Sequence, residues 1–244
     1  HAFHGSTGHE MFAFIPTEAR TYLNVLTASD YGQDNGTPHR YFVDGTPVAT
    51  DVFFNKAWHK VLVGSMGAGG RQIFALDITD PYSPKLLWEF GSGQDSDMGY
   101  SLSKPTIARL EGTGSSDGAW VVLVPNGYQS GSSSAGSGSL FVLNIATGAV
   151  LKEFVVDGIQ GVTSSQQPDA YLPLGNGISN ISAIDENRDG ITDFVYGGDL
   201  LGNVWRFDFR SGIPADWKVK KFFVAQDANG KRLPITAAPY VVDH

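Results

Sequence analysis

Short apolar runs, each followed by a few small or polar residues, recur along the chain and determine its predicted architecture. In the most regular version, an apolar run is followed by a turn, and a second apolar run begins. Runs of this length between turn residues are typical of β-strands, and two in succession predict an antiparallel hairpin. Such pairs occupy residues 73–78 with 86–90, 140–145 with 150–154, and 204–209 with 217–219, and residues 2–4 with 10–15 fit the same frame.

Two more apolar segments precede each of the last three hairpins, so the repeating unit has four short strands. A β-propeller is built from blades of this kind, because a small sheet has two apolar faces that only neighbouring blades can cover. We therefore predict an all-β fold, a β-propeller of four-stranded blades, with Trp88, Phe154 and Trp205 packed between blades. The additional segments are residues 50–54 and 61–64, 105–108 and 121–124, and 181–184 and 194–197.

The repeats predict a single propeller segment over residues 1–244, with about four blade repeats and a cut at each end. Residue 1 falls in the third strand of one repeat, and residues 234–242 resemble the first strand of another. Natural proteins avoid open sheet edges, so we expect this segment to be part of a larger propeller. A ring closed by pairing of the two termini is the alternative.

The composition narrows the classes of function. The formal net charge is -8 and the pI is about 5.1, so nucleic acid is not an expected partner, whereas divalent cations are compatible with the surface. The absence of Cys excludes disulfides, thiolate catalysis and zinc–thiolate sites. We find no apolar run of the ~18–20 residues that a transmembrane helix needs, no signal peptide at the start, and no Gly-x-Ser-x-Gly motif of a hydrolase.

One segment, from Asp185 to Asp193, carries a metal-binding pattern of the form D-x-N-x-D-G-x-x-D. Oxygen-bearing side chains fall at positions one, three, five and nine, and a Gly falls at position six, where the calcium loop of an EF-hand turns sharply. Calcium takes about six to eight oxygen ligands. We therefore predict a Ca2+ site, in which position seven supplies a backbone carbonyl; its ligands are Asp185, Asn187, Asp189, Ile191 and Asp193.

This loop departs from an EF-hand in two respects. Position twelve is Tyr196 instead of Glu, and the flanking segments are predicted strands instead of helices. The expected site is therefore a β-hairpin loop in which Asp193 is the bidentate ligand, and the alternative is an Asx-rich turn without a metal. Asp95 and Asp97 are a weaker candidate pair for a cation, and we expect a solvated loop there.

Several longer strings, taken in order, resemble the C-terminal domain of the PilC/PilY family of type IV pilus tip proteins. The two most characteristic are Gly-His-Glu-Met-Phe-Ala-Phe-Ile-Pro at residues 8–16 and His-Arg-Tyr-Phe-Val-Asp-Gly-Thr-Pro at residues 39–47. The resemblance covers nearly the whole chain, continuing through residues 61–80, 126–128, 198–208 and 234–239.

This resemblance implies a modified propeller with a calcium loop and no enzymatic activity, located extracellularly at the pilus tip (the fimbrium) or associated with the outer membrane. It implies roles in pilus biogenesis, control of extension against retraction, twitching motility and surface adhesion. The implied partners are pilus subunits or minor pilins, and a host or surface receptor. The family's calcium loop corresponds to the five ligands named above, with Asn187 at a position where many members have Asp. The chain lacks an Arg-Gly-Asp triplet, so integrin binding is not expected.

A quinoprotein-like propeller dehydrogenase is the alternative, because blades with Ala-Leu-Asp, Thr-Gly and Trp elements also build those enzymes. Such an enzyme needs a cofactor chamber on the propeller axis, with calcium beside a catalytic Asp. The predicted calcium loop instead lies in a hairpin at the rim of a blade. The adjacent-Cys disulfide common in those enzymes is also impossible in a chain without Cys. These two points favour the non-enzymatic pilus component.

Overall fold

Three four-stranded antiparallel sheets account for most of the chain after residue 47 in the computed structural model. Ahead of them, β1 (Ala2–Phe3) pairs with β2 (Glu10–Phe12), and a single turn of helix, α1 (Thr17–Arg20), and a 3-10 turn (Leu23–Thr27) follow. The structure describes residues 1–112, 115–131, 137–168 and 175–242.

Each sheet is a meander in which every strand pairs with the next strand along the chain. The first blade contains β3 (Val48–Phe54), β4 (Ala57–Ser65), β5 (Gln72–Asp77) and β6 (Lys85–Gly91). The second blade contains β7 (Thr106–Gly112), β8 (Ser115–Pro125), β9 (Ser137–Asn144) and β10 (Val150–Asp157). The third blade contains β11 (Ile178–Ile184), β12 (Phe194–Asp199), β13 (Asn203–Asp208) and β14 (Lys218–Val224).

The second blade is buried on both of its faces. In β8, Val121 and Leu123 lie in the apolar cluster shared with the third blade, whereas Val122 and Val124 lie in the cluster shared with the first. Successive side chains of a strand point to opposite faces of the sheet, so a strand buried on both sides needs an unbroken apolar run. This requirement explains the continuous apolar sequence of residues 121–124, where a strand with one wet face would alternate.

Aromatic side chains fill the spaces between blades, as the sequence predicts. Trp88, Phe154 and Trp205 are each at most 7% exposed. Phe154 of the second blade packs edge-to-face on Phe207 of the third, with ring centroids 5.2 Å apart. Such contacts stabilise the stack beyond the apolar area they bury, by about 0.5–1.5 kcal/mol each.

A tryptophan of the first blade also binds a turn of the second. Trp88 Nε1 donates a hydrogen bond of 2.8 Å to the carbonyl of Ile145, which follows β9. In the same turn Gly148 has φ +70°, and a Cβ there would lie 2.7 Å from Trp88 Cγ. Gly148 is therefore required both for the backbone conformation and for the close approach of the indole.

Residues 234–242, predicted as the first strand of a further blade, contain no strand. They run beside β11, whose Ser and Asn side chains donate to their carbonyls. Ser179 Oγ and Asn180 Nδ2 both bond to the carbonyl of Thr236, at 3.0 and 2.8 Å. The segment contains Pro234 and Pro239, which have no backbone N–H to donate to a ladder. Side chains of β11, together with one backbone hydrogen bond of 3.0 Å from Ile235 N to the carbonyl of Asp199, make the connection instead.

The observed sheets confirm the predicted all-β class and the predicted four-strand unit, with three complete blades and one two-stranded pair in the part of the chain that the structure describes. Within the same part, no helix has the length and apolar character that a membrane span needs. Whether further blades complete a ring in a longer protein stays a prediction.

The contact between Trp88 and Ile145 yields a test of blade packing. Trp88→Phe should lower the free energy of unfolding by about 1–3 kcal/mol, because it leaves a buried carbonyl without its donor and a void beside Gly148. The matched control is Trp58→Phe, since Trp58 is 63% exposed and should change stability by no more than about 0.5 kcal/mol. Urea unfolding followed by far-UV circular dichroism measures both, and equal losses would contradict the role of Trp88.

Candidate metal centre

The oxygen-rich segment forms the connection between β11 and β12, as the sequence predicts. The two strands end opposite each other at Ile184 and Phe194, and the loop is closed by a hydrogen bond of 2.8 Å from Asp193 N to the carbonyl of Ile184. The segment Asp185–Asp193 is therefore a β-hairpin loop and not an interhelical one. Its middle is exposed, whereas both of its ends are half-buried.

Backbone amides inside the loop bind the predicted ligand side chains. The two carboxylate oxygens of Asp185 accept hydrogen bonds from Asp189 N at 3.1 Å and from Gly190 N at 2.7 Å. Asp193 Oδ2 accepts from Glu186 N at 2.8 Å. The loop is consequently wound around its first and last carboxylates, but the ligand oxygens of Asp185, Asp189 and Asp193 do not all lie within 4.8 Å of one another.

The middle of the loop repeats this pattern over a shorter span. Asn187 Oδ1 accepts from Asp189 N at 3.0 Å, and Asp189 Oδ1 accepts from Ile191 N at 2.8 Å. Arg188 and Gly190 have φ values of +64° and +83°, so the chain enters the left-handed region twice. Gly190 is the residue type that adopts this conformation without strain, which accounts for glycine at position six.

The hairpin loop is attached to the neighbouring blade and to the next strand of its own blade. Thr192 N donates a hydrogen bond of 2.8 Å to the carbonyl of Arg109, which belongs to β7 of the second blade. Phe209 N donates a bond of equal length to the carbonyl of Asp193. The C-terminal half of the loop is thus fixed by backbone contacts on both sides.

The positively charged guanidinium of Arg210 lies near the acidic loop. Arg210 donates to both oxygens of Asp208, at 3.0 and 2.7 Å, and these hydrogen bonds lower the pKa of Asp208. The same guanidinium interacts electrostatically with Glu186 and Asp193 and lies over the ring of Phe194 at 4.6 Å. Arg210 therefore offsets part of the repulsion among the carboxylates of this blade end.

Three other acidic side chains approach one another more closely than the aspartates of the loop. Among the described residues, the group whose ligand oxygens all lie within 4.8 Å of one another consists of Asp95, Asp97 and Glu153. Sequence reasoning noted the first two and missed Glu153, because it lies in β10 and only the tertiary fold brings it to the loop after β6. All three are half-buried, whereas residues 92–94 and 96 around the two aspartates are exposed, so the loop at Asp95 and Asp97 is partly solvated.

The environment of Glu153 shifts its titration. Burial raises the pKa of this carboxyl, the hydrogen bond from Ser139 Oγ lowers it, and the charges of Asp95 and Asp97 raise it again, so that the net shift is upward. The folded state therefore holds a proton on Glu153 at pH values where the unfolded chain has released it. Linkage then requires stability to fall as the pH rises from the unfolded pKa, about 4.5, through the folded pKa.

Replacement of Glu153 by Gln tests this linkage, because Gln is neutral at every pH and can still accept from Ser139. Glu153→Gln should stabilise the protein more at about pH 7.5 than at about pH 4, since the repulsion among ionised carboxylates is present only at the higher pH. Urea midpoints at the two pH values provide the measurement. Glu111→Gln, at an exposed position of the same blade, is the control, and equal gains by Glu153→Gln at both pH values would refute the shift.

Comparisons with known proteins agree with this architecture. A family model described as the PilY1 beta-propeller domain matches residues 3–244. The type IV pilus biogenesis factor PilY1 of Pseudomonas aeruginosa strain UCBPP-PA14 is 41% identical over 100% of this chain, and a PilY1 homologue of Xylella fastidiosa strain Temecula1 is 39% identical over 98% of it. The chain spans 21% and 17% of those two relatives.

A solved structure extends the similarity to three dimensions. The crystal structure of the Pseudomonas aeruginosa PilY1 C-terminal domain superimposes with a TM-score of 0.75 at 36% identity, over 97% of this chain and 46% of the other. Blades, family model and relatives thus agree over nearly the full length. The chain belongs to the PilY1 β-propeller domain family.

Proposed function

We propose that this chain is the non-enzymatic, calcium-binding propeller part of a type IV pilus biogenesis factor. The observation that carries the proposal is a β-hairpin loop with oxygen ligands at calcium spacing, within a chain that belongs to the PilY1 propeller family. The full-length relatives are named as type IV pilus biogenesis factors. That name supports a role in pilus assembly, and it supports a structural or regulatory task in preference to catalysis.

The donor set of the hairpin loop fits calcium. Four side chains and one backbone carbonyl supply hard oxygens, which calcium prefers over nitrogen or sulfur ligands. Three of the side chains are carboxylates, so one divalent ion would leave a net local charge of about −1 instead of −3. The proposed ligands are Asp185, Asn187, Asp189, Ile191 through its carbonyl, and Asp193.

Hydrogen bonds within the loop support the same assignment. Asp185 and Asp193, the first and last proposed ligands, already accept from loop amides at 2.7–3.1 Å. An ion would therefore enter a loop whose backbone is wound in advance, which reduces the entropy lost on binding. Since Thr192 is bonded to Arg109 of the second blade, the ion would also order a contact between blades.

If the protein is located at the pilus, ordering of the hairpin loop by calcium would affect how the protein binds its partners. We place the protein outside the cell, at the pilus tip or at the outer membrane, with pilus subunits or minor pilins and a surface receptor as partners. A partner that recognises only the ordered hairpin would bind with an affinity that follows calcium, and the reverse effect is required by linkage. Control of extension against retraction, twitching motility and adhesion would then depend on the ion.

Calcium binding is tested directly by isothermal titration of EDTA-stripped protein. We expect one ion per chain, with a dissociation constant of about 10⁻⁹–10⁻⁵ M as in buffer and sensor loops. Asp189→Ala should weaken binding more than Asn187→Ala, because it removes a charge together with a ligand. Asp216→Ala, at an exposed position of the same blade, is the control, and flat heats for the unmodified protein would refute the proposal.

The link between calcium and the pilus is tested in the parent bacterium with the double substitution Asp185→Asn and Asp193→Asn. Asparagine removes both charges, keeps the type of oxygen that accepts from Glu186 N at position 193, and keeps one of the two accepting oxygens at position 185. Most of the loop hydrogen bonds should therefore persist while calcium binding weakens. We expect altered numbers of surface pili and altered twitching zones at normal protein levels. Unchanged pili and twitching, together with a confirmed loss of calcium, would show that the ion is only structural.

A further inference from the structure

The last strand of the third blade differs in charge from its counterparts in the other blades. β14 has the sequence KVKKFFV, with three lysines and no acidic residue. The corresponding strands are KLLWEFG in β6 and VLKEFVVD in β10, each with one lysine and at least one acidic residue. A cluster of three positive charges on one strand is unexpected in a chain with a net charge of -8, so it demands a specific explanation.

We propose that the free edge of β14 is a docking site for an extended acidic segment of a partner protein, which adds to the third blade as a fifth strand. The proposal goes beyond the calcium function and does not depend on it. Among the described residues β13 is the one strand that pairs with β14. The other edge of β14 therefore offers backbone N–H and C=O groups at the spacing of a β-ladder.

The side chains of this strand are available for a partner. Lys218, Lys220 and Lys221 are all exposed, and Phe222 and Phe223 are 57% and 58% exposed. Lys221 Nζ also lies 5.2 Å from the centre of the Trp205 ring, and the ring of Phe222 packs edge-to-face on Tyr196, so Lys218, Lys220 and Phe223 are the side chains most open to a partner. Lysines on an edge strand can serve to prevent pairing between copies, but that purpose does not call for two adjacent exposed phenylalanines. The combination of cations and apolar rings is the composition that an acidic strand with some apolar residues would match.

The charges on this face are unfavourable in the isolated chain. Lys220 lies directly opposite Arg206 of β13 in the strand register, and like charges in that position destabilise a sheet. Lys218 lies opposite Asp208, but both oxygens of that carboxylate already bind Arg210. None of the three lysines has a carboxylate within ion-pairing distance among the residues that the structure describes.

An acidic strand would correct this imbalance with little rearrangement. Residues at alternate positions of a strand lie on the same face, so carboxylates at alternate positions of the partner would face Lys218 and Lys220 together. Backbone pairing would fix the orientation, and the phenylalanines would add apolar contact. A polysaccharide or nucleic acid could supply negative charge, but it could not supply the backbone ladder that an open strand edge accepts.

The test uses the 244-residue chain and the peptide Glu-Val-Glu-Phe-Glu-Val-Glu-amide, with fluorescein coupled to its N-terminus, in fluorescence anisotropy titrations at low salt. A second peptide carries N-methyl groups at alternate residues, which preserve its charge but block pairing along one edge. We expect the unmodified peptide to bind at least about 10-fold more tightly than the N-methylated one. Equal affinities would show simple charge attraction and would overturn strand addition.

Protein variants locate the site. A triple variant of β14 should bind the peptide at least about 10-fold more weakly; it combines Lys218→Glu, Lys220→Glu and Lys221→Glu. The control combines Lys85→Glu on β6 with Lys152→Glu on β10. Its affinity for the peptide should stay within about 2-fold, because those strands are not the proposed site. Lys220→Glu alone should raise the melting temperature by about 1–3 °C, since an opposite-charge pair with Arg206 replaces a repulsive one. This shift shows that the variant folds.

Three outcomes would overturn the proposal. They are the absence of peptide binding at millimolar concentration, equal losses in the β14 variant and its control, and tighter binding of a heparin hexasaccharide than of the peptide. The last result would identify an anionic-polysaccharide site instead. Because the titrations are run in EDTA, failure here leaves the calcium proposal untouched, and failure of calcium binding leaves this one untouched.

Discussion

Burial of both faces of each small sheet is the constraint on which the rest of this structure depends. A four-stranded meander presents two apolar faces, and a single sheet can cover neither of them. The second blade satisfies the requirement completely, because its central strands send alternate side chains into two different cores. Trp88 adds a directional element, since its indole N–H reaches a carbonyl of the adjacent blade and fixes how far the two sheets can slide.

The stacking of the blades also positions the candidate calcium loop. The loop is a hairpin at the end of β11 and β12, and a backbone bond from Thr192 to Arg109 attaches it to the second blade. Cation binding at such a point would act on the relation between two blades as well as on one turn. The charged surface of β14 lies on the same blade but on its last strand, so the two candidate sites are separate elements of one sheet.

Much of this could be predicted from the sequence, because strands, turns and metal loops are local features. The repeat gave the blade unit, and the spacing from Asp185 to Asp193 placed the hairpin loop correctly. Two features could not be predicted because they depend on tertiary structure or on a competing local rule. Glu153 joins Asp95 and Asp97 only when β10 folds against the loop after β6, and the apparent strand at residues 234–242 is prevented by prolines that cannot donate to a ladder.

The unfavourable charge pairing of β14 could not be predicted from the sequence for a different reason. Its lysines are visible in the sequence, but the mismatch with Arg206 is a property of register, and register is known only once the strands are paired. A pattern of apolar positions predicts which residues are buried, but it does not predict which exposed charges face each other.

The meander topology has a consequence for the order of folding. Every strand pairs with its neighbour along the chain, so each blade can form from contacts of short sequence separation before it meets another blade. Pairing within a blade closes shorter loops than packing between blades, so it costs less chain entropy, and stacked repeats can begin folding at any unit and propagate to the next. The second blade, which shares an apolar core with each of the other two, is the natural centre from which such growth would proceed in both directions.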